Sequence, residues 1–157
     1  MTGNKDAGNE KVLKMKLNLI TYGCGKKFDL FKFTPIKNIK FVKPKGGLWA
    51  SPVESSYGWR EWCRDENYDG KLSQHFTFIL EGNIFIINDT YSVSCMPWVK
   101  ENEYIQYPDF EQMVKLGYDA IFLTEKGQIE TRFKKPSLYG WDCESVLILN
   151  KKNILTR

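Results

Sequence analysis

The stretch GGLWASP at residues 46–52 is the starting point for the fold that we predict for this chain. Residues 48–50 form a short apolar run with two glycines before it and a proline after it, which is typical of a strand between two turns. Ser55 or Ser56 is a suitable N-cap, so we expect a helix to follow and to continue to about Arg64.

Further strands are expected on both sides of this stretch. Residues 13–19 alternate between apolar and polar side chains, which is the period of a half-buried strand, and that strand should end at the glycine turn 23–25. A short extended piece is expected at 39–42. After the stretch, residues 76–80 and 84–87 form a β-hairpin or two strands joined by a tight turn, and further strands are predicted at 118–124, 128–133 and 145–149.

Between these strands, the pattern indicates two or three helices and no regular alternation of strand and helix. Asp109 is a good N-cap for a helix that Gly117 ends. A doubly wound parallel sheet needs such an alternation, so the pattern favours the α+β class. We predict one domain over residues 12–157, preceded by a flexible polar tail at 1–11.

The composition narrows the classes of protein further. Hydrophobic residues make up 42% of the 157 residues, and no apolar run approaches the roughly 20 residues that span a bilayer. The polar start resembles no secretory signal, so we expect a cytoplasmic protein without a membrane partner. The four cysteines are scattered and His75 is the single histidine, so free thiols and no metal site are expected.

The positive charge is mild overall, at a formal net value of +4, but part of it is concentrated in residues 26–45. The lysines of this region are Lys26, Lys27, Lys32, Lys37, Lys40, Lys43 and Lys45. They could face the phosphates of a dinucleotide or of nucleic acid. The alternative is an ordinary solvated surface, which the charge pattern alone favours.

Asp142 and Glu144, directly before the last predicted strand, are the sharpest candidates for chemistry. Side chains two residues apart in an extended segment point to the same side. Two such carboxylates can divide roles, one accepting a hydrogen bond from a sugar hydroxyl and the other positioning or deprotonating a nucleophile. The alternative is a pair of exposed acids in a loop. Cys143, between them, is expected to be a buried thiol.

Two of these stretches resemble the ADP-ribosyltransferase superfamily. In that family a strand of the form G-L-aromatic-small-S/T precedes a helix and lines the nicotinamide pocket, and residues 47–51 have this form. Its last strand reads E, three or four apolar residues, a polar turn and N/Q-I, which is similar to ESVLILNKKNI at 144–154. The Asp142–Glu144 pair resembles its E/Q-x-E motif. Residues 43–63 and 118–150 also resemble uncharacterised phage and bacterial proteins.

The resemblance implies a split, strongly bent β-sandwich that clamps NAD⁺, and a mono-ADP-ribosyltransferase, a glycosyltransferase that uses NAD as co-substrate without a metal. Glu144 would hydrogen-bond the 2′-hydroxyl of the nicotinamide ribose and stabilise an oxocarbenium-like transition state, while Asp142 would orient the acceptor. The residues implied to bind NAD are Thr21, Tyr22, Gly23, Lys26, Gly47, Trp49, Ser51 and Tyr57.

Recognition of the acceptor is implied for the turn before Glu144, which carries Tyr139 and Trp141. Arg132 could contact a phosphate of the substrate, or it could pair with Glu130 or another acid. The acceptor is either a protein or a nucleic acid, and neither is preferred. The expected setting is a toxin-like or defence-related role in a bacterial or phage-infected host cell.

One departure from the family leaves other functions open. Many members carry an arginine or a histidine at the end of the first strand, near Thr21 and Tyr22, and this chain has neither. The second hypothesis is therefore a catalytically silent module that binds a nucleotide, a nucleic acid or a partner protein. A variant of the first hypothesis is an NAD glycohydrolase, in which water is the acceptor.

Overall fold

The computed structural model describes residues 14–27 and 29–155, and the flexible tail predicted at 1–11 lies outside them. The strands are β1 Lys14–Tyr22, β2 Leu48–Pro52, β3 His75–Ile87, β4 Trp98–Lys100, β5 Gln106–Pro108, β6 Ala120–Leu123, β7 Ser145–Ile148 and β8 Ile154–Leu155. The helices are α1 Trp59–Asp65, α2 Thr90–Ser94, α3 Phe110–Lys115 and α4 Glu125–Thr131, with 3-10 turns at Leu30–Lys32 and Asp69–Lys71. The predicted α+β class is confirmed.

Five of the strands close into a small β-barrel, in the order β1, β2, β7, β6, β3 and back to β1. Neighbouring strands are antiparallel except β3 and β6, which run parallel. β8 lies beside β3, and β4 with β5 forms a separate two-stranded sheet. The barrel replaces the split β-sandwich that the resemblance implied, so that part of the fold prediction is corrected.

The barrel closes because β3 is long enough to pair with two neighbours. Its first part runs antiparallel to β1, and residues 84–87 run parallel to β6. The change of partner comes directly after Asn83, and the turn predicted at 81–83 was wrong because the strand continues through those residues. Gly82 is needed there for a close approach, because a Cβ would lie 2.5 Å from the carboxylate of Asp119. That buried carboxylate accepts from the Asn83 N–H at 2.8 Å.

Two further strand predictions are wrong. Residues 128–133 lie largely in α4, and residues 39–42 form bends without strand pairing. The helix begins where it does because Thr124 caps it, with Thr124 Oγ1 accepting from the Gly127 N–H at 3.0 Å. A local cap of this kind outweighs a short apolar alternation, which is weak evidence for a strand.

The helix after β2 begins at Trp59 rather than directly after Ser55 or Ser56. Its first N–H is satisfied from the strand, because Ser51 Oγ accepts from the Trp59 N–H at 2.9 Å. By contrast, α3 begins as predicted, with the Asp109 carboxylate accepting from the Gln112 N–H at 3.1 Å.

The alternation of side chains along the barrel strands produces two cores. One fills the barrel, and the other lies between the barrel's outer face and helices α2 and α3. The barrel interior includes Leu19, Leu48, Ala50, Phe76, Leu80, Val146 and Ile148; the outer core includes Val93, Phe110, Met113, Leu123, Trp141 and Leu147. Trp49 therefore points outward from β2, away from Leu48 and Ala50. No helix in the described part of the chain has the length and apolarity that a membrane span requires.

Candidate functional site

The two stretches that the sequence analysis singled out lie together. Ser51 Oγ donates to the backbone carbonyl of Glu144 at 2.8 Å, and the Glu144 N–H donates to the carbonyl of Tyr57 at 3.0 Å. The rings of Trp49 and Trp141 meet edge to face, with centroids 4.7 Å apart. We call this region the outer-face site, formed by Trp49, Ser51, Tyr57, Asp142 and Glu144 together with Trp141 and Cys143.

The carboxylate of Glu144 is half-buried and held at one oxygen. Oε2 accepts a hydrogen bond from the backbone N–H of Glu125, the first residue of α4, at 2.9 Å. Oε1 has no hydrogen-bond partner within residues 14–27 and 29–155. A charge-assisted bond of this kind restricts the carboxylate to one orientation while leaving one oxygen open to a ligand.

Glu125 is a second acid at this position, and the sequence analysis missed it. Its side chain accepts a hydrogen bond from the hydroxyl of Ser56, so it connects the start of α4 to the loop between β2 and α1. The signal was present, since Thr124 followed by Glu125 is typical of a helix start. It was overlooked because residues 128–133 were assigned to a strand.

Asp142 is paired, in contrast to Glu144. Its carboxylate lies 3.1 Å from the guanidinium of Arg132, and the ring of Tyr139 stacks under that guanidinium at 4.8 Å. Phe133 lies beside the same guanidinium and is 83% exposed. Arg132 therefore pairs with Asp142 rather than with Glu130.

Trp141 is part of the core. It is 1% exposed, and its indole Nε1–H donates to the carbonyl of Val42 at 2.8 Å. Its ring also stacks with Phe110 across the outer core. The contact with an acceptor expected of Trp141 is therefore not available to its side chain, which instead supports Trp49.

A cavity of about 210 Å³ opens beside Trp49, and its lining consists of Tyr22, Lys43, Trp49, Trp59 and Cys63. The ammonium of Lys43 lies over the rings of Trp59 and Trp49, 5.2 and 5.8 Å from their centroids. Burial raises the pKa of Tyr22 above its usual value, so its hydroxyl is neutral at physiological pH. The cavity has room for one planar ring against aromatic walls.

Two buried donors near Ser51 lack hydrogen-bond partners within the described residues. Ser55 Oγ and Trp59 Nε1 are shielded from solvent and make no hydrogen bond within the described residues. Ser55 lies between β2 and α1, Trp59 is the first residue of α1, and both line a smaller cavity of about 60 Å³ together with Ser51. A buried polar group without a partner costs about 1–3 kcal/mol, so each such group in a native structure calls for an explanation.

Three other residues implied in NAD binding are engaged by the fold. Thr21 is buried, and its hydroxyl donates to the carbonyl of Trp49. Ser51 makes the two hydrogen bonds described above. The hydroxyl of Tyr57 donates to the Asp65 carboxylate at 2.6 Å, which raises the pKa of Tyr57 to about 12.

The remaining implied residues lie elsewhere. Gly23 and Gly47 line a separate cavity of about 480 Å³ at the end of the barrel, and Lys26 is exposed on the turn beside it. Within β2, neighbouring residues reach different cavities because Leu48 faces the barrel interior and Trp49 faces outward. We call this second region the barrel-end cavity, lined by residues 23–25, Asp29, Lys32, Phe33, Gly47, Leu48, Gln74 and Phe76.

Nucleophilic chemistry by Cys143 is not supported. The residue is buried, and desolvation raises the pKa of its thiol to about 12. The thiolate is the reactive form, so this thiol is unreactive at neutral pH. Within the described ranges, no three His, Cys, Asp or Glu side chains gather as a metal site requires.

Comparisons of this chain with protein-family models, with curated proteins and with solved structures found no match. The resemblance to ADP-ribosyltransferases rests on the motifs at 46–52 and 142–154. The hydrogen bond that the Ser51 hydroxyl donates to the backbone carbonyl of Glu144 joins those two motifs in space.

Proposed function

We propose that the protein transfers ADP-ribose from NAD⁺ to a macromolecular acceptor at the outer-face site, with Glu144 as the carboxylate beside the reacting ribose. One observation carries the proposal. Ser51 Oγ donates to the backbone carbonyl of Glu144 and accepts from the backbone N–H of Trp59. One hydroxyl thus holds together the residue whose carboxylate is fixed at one oxygen and the residue whose buried Nε1 has no partner within the described residues. An oriented carboxylate can accept a hydrogen bond from a sugar hydroxyl, and an unpaired N–H or O–H can donate one to a carboxamide.

Glu144 Oε1 would accept a hydrogen bond from the 2′-hydroxyl of the nicotinamide ribose. As the N-glycosidic bond breaks, its electron pair leaves with nicotinamide and positive charge develops on the sugar. A carboxylate already fixed by the Glu125 N–H opposes that charge without reorganising, which stabilises the transition state more than the ground state. The acceptor nucleophile then bonds to the anomeric carbon and loses its proton.

The cavity beside Trp49 would hold the nicotinamide ring. Tyr22, Trp49 and Trp59 supply aromatic walls, and the Trp59 Nε1–H is a candidate donor for the carboxamide. The Ser55 hydroxyl lines the smaller cavity, which shares Tyr22 and Trp59 with this one, and it is a candidate donor for the ribose. Lys43 has its ammonium beside the cavity at Trp49, so it is the candidate cation for the pyrophosphate. That role would compensate for the missing arginine or histidine at the end of β1.

Acceptor recognition would fall to the cluster of Arg132, Phe133 and Tyr139. The aromatic rings are exposed, at 83% for Phe133 and 58% for Tyr139, and they flank a guanidinium. Glu125 takes the role first given to Asp142, that of positioning or deprotonating the nucleophile. The reason is that Asp142 is neutralised by Arg132, whereas the partner of the Glu125 side chain within the described residues is the Ser56 hydroxyl.

The test is nicotinamide release from NAD⁺, followed by chromatography, for wild type and for Glu144→Gln. The amide keeps the shape and removes the charge, so we expect a loss of about 100-fold, the usual cost of removing one electrostatic stabiliser. Glu103→Gln, at an exposed position outside both regions, is the matched control and should retain activity. Equal rates in wild type and Glu144→Gln would show that another group stabilises the transition state.

A catalytically silent module is the second candidate, and one observation favours it. Glu144 already has a structural role, since it supplies the acceptor for the first N–H of α4. Calorimetric binding of NAD⁺ without nicotinamide release in the presence of protein and nucleic-acid acceptors would favour this candidate. Release that requires no acceptor would instead identify an NAD glycohydrolase.

A further inference from the structure

The barrel-end cavity has the size and lining of a ligand site that the proposed chemistry does not use. Its volume is about 480 Å³, within the range of small-molecule pockets. Its floor is the open end of the barrel, where Leu48 and Phe76 belong to the interior core. Its walls come from the turn after β1 and from the segment around the 3-10 turn Leu30–Lys32.

The lining suits a planar heteroaromatic ring. The half-buried Phe33 can stack on such a ring, and the polar groups of Gln74 and of the glycine turn can hydrogen-bond its edge. The Gly23 N–H is already used, because it donates to the Gln74 carbonyl at 2.7 Å. Gly23 and Gly25 have φ of 82° and 99°, so the turn brings bare backbone to the cavity without side chains. A nucleobase is bound in this way, by stacking on an aromatic side chain and by hydrogen bonds along the edge of its ring.

The rim of the cavity is positively charged. Lys26, Lys27 and Lys32 lie on the segments that form its walls, and the side chain of Lys71 lies against Gly23, with its Cδ 3.5 Å from where a Cβ would be. Asp29 is the one acid in the lining, and its carboxylate accepts from the Phe31 N–H at 2.9 Å. The excess of lysines favours an anionic ligand, such as a chain of phosphates.

Phe31 is the second, independent observation. Its side chain is 98% exposed, so it contributes almost nothing to the core, and it stands directly beside Lys32 at the rim. An exposed aromatic ring among lysines is the composition of a platform on which bases of a single strand stack.

We propose that the barrel-end cavity binds single-stranded nucleic acid. One base enters the cavity against Phe33, the neighbouring base stacks on Phe31, and the phosphates follow Lys26, Lys27, Lys32 and Lys71. A duplex does not fit this description, because its bases are stacked and paired and cannot enter a cavity. The inference stands without the NAD chemistry, and where both hold it makes nucleic acid the acceptor.

The experiment is fluorescence anisotropy of the full chain with a labelled mixed-sequence strand of about 12 nucleotides, as DNA and as RNA. We expect saturable binding that weakens with salt, with a slope of log K against log salt of about −3 for four phosphate contacts. The double variant Phe31→Ala/Lys32→Ala should bind about tenfold more weakly, because it loses a stacking face and a charge.

The matched control is Tyr104→Ala/Lys100→Ala, which removes an aromatic ring that is 90% exposed and an exposed lysine from the β4–β5 hairpin. It should bind as wild type does. Absence of binding by wild type would overturn the proposal. So would equal affinities of the two double variants, equal affinity for a duplex of the same sequence, or displacement of the strand by an acidic peptide at equal charge concentration.

The same preparations separate this inference from the proposed function. Glu144→Gln should lose nicotinamide release and keep oligonucleotide affinity, since its carboxylate does not line the barrel-end cavity. Nicotinamide release without oligonucleotide binding would overturn the inference alone. Binding without release would overturn the proposed function alone.

Discussion

The outer-face site and the barrel-end cavity differ in how far their side chains are committed to the fold. At the outer-face site, Ser51 joins β2, α1 and the segment before β7, and Asp142 is paired with Arg132. At the barrel-end cavity, Lys32 and Phe31 are exposed on a short 3-10 turn. We therefore expect substitutions at the outer-face site to lower stability together with any activity, and substitutions at the barrel-end cavity to affect the proposed binding without lowering stability.

The largest expected difference in stability is between substitutions of two aromatic residues, one in each region. Trp141→Ala should lower the free energy of unfolding by about 3–5 kcal/mol, because it leaves a cavity beside Trp49 and Phe110. Phe31→Ala should change it by no more than about 0.5 kcal/mol, since that ring is exposed. Urea unfolding of both variants is the measurement, and similar losses in the two would break the comparison.

Ser51→Ala is expected to have the next largest effect. The substitution leaves the Trp59 N–H and the Glu144 carbonyl without their partner, which costs about 1–3 kcal/mol where such groups are shielded from water. Ser73→Ala, an exposed serine beside the barrel end, serves as the control and should be neutral. The measurement is the thermal unfolding of both variants. Equal stability of Ser51→Ala and wild type would mean that water replaces the hydroxyl.

The pH dependence of stability distinguishes two cysteines. Cys143 has an ordinary pKa of 9.0 when unfolded and about 12 when folded, so its contribution is complete below pH 9 and is lost as the pH rises toward 12. From pH 8 to pH 10 the wild type should lose about 1.4 kcal/mol that Cys143→Ala does not lose.

Cys24→Ala is the control for that experiment, because Cys24 is exposed in the barrel-end cavity. Its loss between the two pH values should equal that of wild type, as measured by urea unfolding in each buffer. Equal losses in Cys143→Ala and wild type would contradict a buried, neutral thiol at position 143.

The smallest expected effect concerns the pair of Asp142 and Arg132. Both side chains are partly exposed, at 22% and 28%, so Asp142→Asn should cost less than about 1 kcal/mol. Lys32→Ala, at the barrel end, should be neutral within about 0.5 kcal/mol. Chemical unfolding at low and high salt is the measurement, and a cost for Asp142→Asn that does not shrink with salt would argue against an ion pair that solvent screens.

Much of the secondary structure could be predicted from local patterns. The strands at 118–124 and 145–149 correspond to β6 and β7, and the Asp109 cap correctly placed the start of α3. The closeness of residues 46–52 to 142–144 was also predicted, although from the family resemblance rather than from the residues. Local patterns failed at 81–83, where glycine and asparagine suggested a turn and the strand continues.

The candidate site was predicted in part. Glu144 lies beside the Trp49 stretch, and Asp142 pairs with Arg132. Glu125, the acid that we propose in place of Asp142, was not predicted because α4 was not. Lys43 was one lysine among several in the sequence, and its position over Trp49 and Trp59 depends on a packing that no local pattern encodes.

The sequence alone determined the features that depend on neighbours along the chain: strand periodicity, helix caps and the α+β class. Tertiary structure decided which strands pair, because β3 closes the barrel by using β1 and β6 at its two ends. It also decided which face of β2 became the barrel interior, so that Leu48 reaches the barrel-end cavity and Trp49 lines the outer one. Contacts between residues distant in sequence carry no local signature, which is why both candidate regions needed the folded chain.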